Sequence, residues 1–336
     1  MSNDVRIYVA IRPQEFSLLY DDAAAARLKE LGTVDFAGDD GPKVALPDAV
    51  ADSYDVLITS WSTQRFEPET LAGSRLRLAV HSAGSVRGLF AKSVLNNGMR
   101  LAQGGAAAMA LPVAEMSLTL TLALLRNLHT HDRGLQTTRD WTEGGRGMLG
   151  NSIQAQRIGV VGLSRTGRHY TSMLRGLGVE QILAYDPYTS AADAEALGVQ
   201  LVDLDELCRS SGVVAVHAPT TPETKHLLNA EKFALMADDT IVVNTARSWV
   251  LEEQALLAEV SSGRLRAGLD VFDTEPLPAD SGFYGLPNVL ITPHVAGGTV
   301  EARHAQGATV IAEVERFLRG APLEQEVTAD NYDRLA

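Results

Sequence analysis

Apolar positions in this chain come in runs of two kinds. Short stretches such as "VRIYVAI", "DVLITS" and "LRLAVHS" are apolar at consecutive positions rather than at every second one. A strand of that kind is buried on both faces, as in a parallel sheet with helices on either side. Helical stretches such as "DDAAAARLKELG" lie between them. A second series begins at "RIGVVG" and runs through "QILAYD", "VVAVHAP", "TIVVNTA", "RAGLDVF" and "NVLITPH". Strands separated by helix-length connections predict an α/β chain with doubly wound parallel sheets. Between the series lie a long apolar stretch, "AAAMALPVAEMSLTLTLALL", and a glycine-rich polar segment around Trp141. The apolar stretch approaches the length needed to span a bilayer. It contains Pro112, Glu115 and several hydroxyl side chains. It therefore predicts a core or subunit-interface helix starting near Pro112, with no membrane partner. The polar segment predicts an extended arm or loop, and the last helix is expected to end at Gly320.

Length and charge narrow the picture. A chain of 336 residues exceeds what one hydrophobic core usually supports, so two domains are expected. The net charge of −13 comes with no large Lys/Arg cluster, which argues against nucleic acid as a partner. With Cys208 the single cysteine, no intramolecular disulfide can form, in keeping with a reducing, cytoplasmic setting. Within "ELCRSSG" this residue reads as a small buried filler at a helix end. The first residues show no apolar leader or cleavage signal.

Candidate chemistry gathers at the ends of the second series. Gly162 follows "IGVV", Asp186 follows "ILAY", and His217 follows "VVAV"; Asn244 and Arg247 follow "TIVV", Asp270 follows "RAGL", and His294 follows "NVLITP". In an open α/β sheet these C-terminal strand ends converge on one crevice, where ligands bind. The stretch "VVGLSRTGR" has Gly162 and Gly167 at the outer positions of a dinucleotide-binding turn, with Ser164 at the middle one. Strand, turn and helix, with Asp186 about twenty residues on, are the arrangement that holds a pyrophosphate on backbone N–H groups and a ribose on an acid. Serine at the middle position would be strained by about 1–2 kcal/mol at positive φ and unstrained in extended backbone. No basic residue adjoins Asp186 in "YDPYTS", so NAD is expected in preference to NADP. A metal-dependent hydrolase built on Asp270, Glu275 and His294 lacks recognisable ligand spacing.

The segments "PVAEMSLTLTLALLR", "VVGLSRTGR", "AYDPY", "HAPTTPETKHLLN", "VNTARSWVLEEQALLAEVSSGRLRAGLDVFDTEPLP" and "LITPHVAGGT" resemble the D-isomer-specific 2-hydroxyacid dehydrogenases. The match is dense from Pro112 to Thr299 and thinner before it. The resemblance implies a Rossmann NAD-binding domain over residues 107–299. A discontinuous, flavodoxin-like substrate domain would comprise residues 1–106 and 300–336, and the long helix and the Trp141 arm would join a homodimer. It implies Arg247 as the substrate-binding arginine, His294 as general acid/base and Glu275 as its acid partner. Cofactor contacts would come from Gly162, Ser164, Arg165, Thr166 and Gly167 in the turn, then Asp186. His217, Ala218, Pro219, Thr224, Thr245, Ala246 and Gly297 follow, with Asp270 facing the nicotinamide carboxamide.

Those residue types suit reduction of a 2-oxo acid to a D-2-hydroxy acid. The developing alkoxide needs a proton, and imidazole titrates near neutral pH. A carboxylate on the other ring nitrogen orients the ring and stabilises the imidazolium. A planar guanidinium grips the substrate carboxylate and polarises the carbonyl. Two segments depart from the family. "HSAGSVRGL" stands where relatives carry G-x-D-N-[IV]-D, and Ala83, Gly84 and Ser85 still offer N–H groups to a carboxylate. "TSWST" stands where phosphoglycerate-type relatives place an arginine; Trp61 there favours an uncharged or apolar substituent over a phosphorylated one. The alternative reading is an NAD(H)-sensing binding protein of the same fold, corepressor-like and without turnover. No docking or tail extension is recognisable for it.

Overall fold

The computed structural model describes residues 5–39 and 41–334, and in them the doubly apolar runs become the strands of two sheets. The first sheet contains β1 (Arg6–Ala10), β2 (Thr33–Phe36), β3 (Val56–Thr59), β4 (Leu78–His81) and β5 (Arg100–Gln103). The second contains β6 (Ile158–Val161), β7 (Ile182–Tyr185), β8 (Gln200–Leu201), β9 (Val213–Val216), β10 (Ile241–Asn244), β11 (Arg266–Leu269) and β12 (Val289–Ile291). A last strand, β13 (Glu326–Val327), returns to the first sheet. Two compact units result: the described residues up to Met109 together with those from Gly298 onward, and Ala110–Gly297.

In the first unit the order is β13-β5-β4-β3-β1-β2. Its strands are parallel except β13, which pairs antiparallel to β5. Leaving out β13, that is the flavodoxin-like order. Side chains alternate across the sheet: Leu57 enters the core on one face, Val56 and Ile58 the core on the other. Burial on both faces is why these strands read as unbroken apolar runs. The helix Val300–Leu318 covers one face through Val310, Ile311 and Val314. Its first turn is capped by Thr299, which accepts from Ala302 N–H at 3.1 Å.

The second unit is a fully parallel sheet in the order β12-β11-β10-β9-β6-β7-β8. This is the Rossmann winding, reversing between β6 and β9. Val214 and Val216 face one core and Val213 and Ala215 the other. The long helix spans Ala106–Leu125 and packs Ala114, Leu120 and Leu124 into the second of these cores. It starts six residues earlier than the expectation from Pro112, which lies inside it. The alanines before Pro112 favour helix strongly enough to carry the turn past the missing N–H.

A further helix, Leu128–Thr138, buries none of its residues. Leu111, Leu128, Leu135, Trp141, Met148 and Leu149 leave an exposed apolar surface along this part of the chain. Cys208 is buried in the helix Leu204–Ser210 and its thiol is pushed up to about 12 by burial. It is an inert filler.

Candidate active site

The turn after β6 is built around two residues that must be glycine, and at Gly167 a Cβ would lie 2.2 Å from Gly162 O. Gly162 has φ +94, and a Cβ there would lie 2.7 Å from the Ala218 backbone. Ser164 has φ −59 and ψ 179, an extended conformation without strain. It is the N-cap of the helix Arg165–Gly176, accepting from Gly167 N–H at 3.4 Å. The substitution for glycine therefore adds a cap, and its hydroxyl hydrogen stays available to an anion. The N–H groups of Arg165 and Thr166 point out of the first turn, where no intrahelical acceptor exists. This cradle fits a pyrophosphate.

Asp186 closes the turn from β7. Its Oδ2 accepts from Leu163 N–H at 2.7 Å, and Oδ1 from Tyr188 and Thr189 N–H at 2.9 and 3.1 Å. The carboxylate is thus partly committed to holding its own loop against the glycine turn, with acceptor capacity left for a hydroxyl. After β9, His217 is buried against Tyr170, and neither ring nitrogen has a partner. Burial lowers its pKa to about 3, so it is a neutral wall at working pH. Ala218 and Pro219 follow it, and Thr224 spends its hydroxyl on Pro219 O at 2.7 Å, fixing that turn. Thr245 Oγ1 is buried without a partner. Gly297 ends the unit.

Three turns on β10, β11 and β12 are laced together. Asn244 accepts from Ala246 N–H at 3.0 Å and donates to Arg247 O at 2.9 Å, closing the "NTAR" turn on itself. Arg247 Nη1 donates to Ala246 O at 2.6 Å. Asp270 N–H donates to Asn244 O at 3.0 Å, and His294 N–H to Asp270 O at 2.9 Å. The turns bearing Arg247 and His294 therefore share one edge of one sheet.

His294 Nδ1 lies 2.6 Å from Glu275 Oε2. Glu275 is itself held by Phe272 N–H at 3.0 Å on Oε1. A cavity of about 670 Å³ opens beside the pair, with Phe272, Leu277, Tyr284 and Ile291 among its walls. His294 has φ +51, unusual for a residue with a Cβ. Asp270 enforces that turn. It is wholly buried, and its Oδ1 accepts from Thr292 Oγ1 at 2.6 Å and Val295 N–H at 2.9 Å, while Oδ2 accepts from Ala296 N–H at 2.9 Å. All these partners belong to the turn that presents His294, a role the sequence reading missed. Its place at the end of the apolar run "RAGL" was the one signal available in the sequence.

The remaining candidates lie in the first unit. Trp61 follows β3 and is 40 % exposed. Ala83, Gly84 and Ser85 follow β4. Ala83 is fully buried, and none of the three N–H groups has a partner among the described residues. Three successive open N–H groups at a strand end are a candidate anion nest.

Comparison with known proteins follows the same lines. Residues 118–296 match the model of the D-isomer specific 2-hydroxyacid dehydrogenase, NAD binding domain. The chain is 31 % identical over 315 residues to a D-3-phosphoglycerate dehydrogenase of Methanocaldococcus jannaschii, covering 93 % of this chain and 58 % of that one. It is 31 % identical over 268 residues to a hydroxypyruvate reductase of Thermotoga maritima, covering 79 % and 85 %. This chain spans about half the length of the phosphoglycerate dehydrogenases it matches. A D-2-hydroxyisocaproate dehydrogenase structure superposes with a TM-score of 0.83 at 24 % identity, over 96 % of this chain and 99 % of the other, a likeness of fold.

Proposed function

Because the chain belongs to the D-isomer specific 2-hydroxyacid dehydrogenase family, we propose that it is an NAD-dependent reductase of a 2-oxo acid, working also in the reverse, D-2-hydroxyacid dehydrogenase direction. The observation that carries this reading is the His294–Glu275 pair, 2.6 Å apart, on the sheet edge that also bears Arg247 and the glycine turn.

Bound nicotinamide supplies or accepts the hydride. The protein does the rest. His294 gives the proton from Nε2 to the forming alkoxide, and its Nδ1–H to Glu275 keeps the ring in one tautomer and stabilises the imidazolium. Arg247 takes the substrate carboxylate and polarises the carbonyl, and the open N–H groups of Ala83, Gly84 and Ser85 supply a second carboxylate cradle. Asp270 acts through the His294 turn rather than by direct contact. The Gly162–Gly167 cradle, with Ser164, Arg165 and Thr166, takes the pyrophosphate, and Asp186 a ribose hydroxyl. His217, Ala218, Pro219, Thr224, Thr245, Ala246 and Gly297 line the cofactor's path. The exposed apolar side chains from Leu111 to Leu149 support a homodimer joined there, and the buried single cysteine a reducing, cytoplasmic setting.

A panel of 2-oxo acids with NADH, followed by loss of reduced-nicotinamide absorbance, tests the reading. At least one acid is expected to be reduced, and His294→Ala to lower turnover by at least about 10²-fold while NADH still binds. Cofactor binding without turnover of any acid would favour a nucleotide sensor. Near wild-type turnover in His294→Ala would remove that residue from the mechanism.

A further inference from the structure

Trp61 alone suggested an apolar wall, but a cation stands on its face. The guanidinium of Arg303, on the helix Val300–Leu318, lies 4.1 Å from the centre of the Trp61 ring. Its Nη1 donates to Gln306 Oε1 at 3.1 Å; its other guanidinium N–H groups have no partner among the described residues. Burial works against the charge of Arg303, and the carboxylate of Glu15 offsets this only in part. Glu15 makes no ion pair with it and instead accepts from Ser60 Oγ. A half-buried guanidinium with donors to spare is an acceptor site waiting for its acceptor.

The surroundings tie this pair to the N–H nest at residues 83–85. An atom in the Cβ position of Gly105 would lie 2.4 Å from Ala83 C and 2.5 Å from Gly84 N, and one on Gly104 would lie 2.8 Å from Gln306 O. The nest, the end of β5 and the Gln306 turn are therefore in contact. On the other side Ser82 N–H donates to Thr59 O at 2.7 Å, joining the nest to the segment that carries Trp61. Within this ring Gln306 Nε2 and Gln103 Oε1 are also buried without partners. Lys43, whose ammonium donates to Trp61 O, adds a second positive charge nearby.

We infer that Trp61 and Arg303 form the subsite for the substrate's side chain, and that this side chain carries an oxygen acceptor, a hydroxyl or a carboxylate. The inference rests on the reductase reading above and names the class of acid that reading left open. The indole holds the guanidinium in place by cation–π attraction. An alkyl group in the subsite would leave buried donors unpaired, the condition under which a site rejects an isostere most strongly.

Two isosteric pairs test this: hydroxypyruvate against 2-oxobutanoate, and oxaloacetate against 4-methyl-2-oxopentanoate, each with NADH. In at least one pair kcat/KM is expected to favour the oxygen-bearing acid by at least about tenfold, and the pair that does so separates hydroxyl from carboxylate. Arg303→Met, which keeps the apolar stem, is expected to bring that ratio close to one, and Trp61→Leu to an intermediate value. Both acids of a pair are measured on one preparation, so any misfolded fraction cancels from the ratio. Ratios near one for both pairs in the wild type, or a ratio that survives Arg303→Met, would overturn the subsite and leave the reductase reading standing. Loss of NADH with none of the four acids would overturn the reductase reading and the subsite with it.

Discussion

Replacing Asp270 with Asn changes one atom at the base of the His294 turn and leaves its shape intact. The aspartate accepts three hydrogen bonds inside the protein, from Thr292 Oγ1, Val295 N–H and Ala296 N–H. An asparagine oriented to keep the first two on its carbonyl oxygen turns its NH₂ toward Ala296 N–H, donor against donor. Ala296 is 4 % exposed, so the orphaned N–H has no water to turn to. Leaving a buried donor unmet costs about 1–3 kcal/mol. His294 meanwhile sits at φ +51, a conformation that costs a residue with a Cβ about 1–2 kcal/mol. The loss is as large as the strain that Asp270 holds in place, so the turn relaxes and the imidazole leaves its position on Glu275 for much of the time.

At about 1.4 kcal/mol per decade, turnover should fall by about 10- to 100-fold while the cofactor still binds. Steady-state turnover with NADH and a reducible 2-oxo acid, beside a fluorescence titration of NADH, separates the possibilities. A variant with wild-type kcat and weakened NADH binding would mean that Asp270 touches the nicotinamide directly, and the positioning argument would be wrong. Thr292→Val removes a neighbouring bond to the same carboxylate and should couple with Asp270→Asn in a double-mutant cycle. Strict additivity would count against a shared brace.

The remaining expectations concern the cofactor, acid stability and the thiol. NADPH should bind at least about tenfold more weakly than NADH, since a 2′-phosphate would meet the Asp186 carboxylate; fluorescence titrations giving the reverse order would overturn the cofactor preference. Burial holds His81 at about 4 and His217 at about 3, against about 6.5 in an unfolded chain. Unfolding therefore takes up protons below that value, so stability should be level above pH 7 and fall as pH drops from about 6.5 toward 4. A melting temperature unchanged between pH 7 and 4.5 would contradict this. Cys208, buried with its thiol near 12, should resist a thiol-specific alkylating reagent at neutral pH until the protein unfolds, and equal rates for native and unfolded chains would refute that.

Strand positions were legible because parallel strands are buried on both faces and so leave unbroken apolar runs. The edge strands β2, β8 and β13 were not, nor was the inner strand β5, whereas the edge strand β12 was. β2 has two exposed and two half-buried residues, and β8 and β13 have two residues each, too few to make a pattern. The start of the long helix was misplaced because Pro112 is a local signal that the helix-favouring alanines before it override. Catalytic candidates were legible by residue type and by the rule that functional side chains follow strand ends. What held them was not. Asp270 is separated from the turn it braces by more than twenty residues of sequence, and nothing in "RAGLDVF" says which N–H groups its oxygens will meet.

The contrast between Ser164 and Arg303 takes this further. Ser164 sits inside a contiguous motif, so its neighbours alone limited its backbone to two choices, and the extended one observed is the unstrained one. Arg303 sits in "TVEARHAQ", on a helix that enters the first unit from the far end of the chain, and it gains meaning only when the fold lays it on Trp61. A motif reports local geometry, because it is the turn itself that binds. A subsite made by packing one segment onto another has no such record in either segment. An aromatic residue read alone then suggests an apolar ligand, while the same residue with a guanidinium on its face asks for an oxygen. Substrate class is for that reason the property of such a chain least available from its motifs, and a comparison of isosteres reads it where the motif cannot.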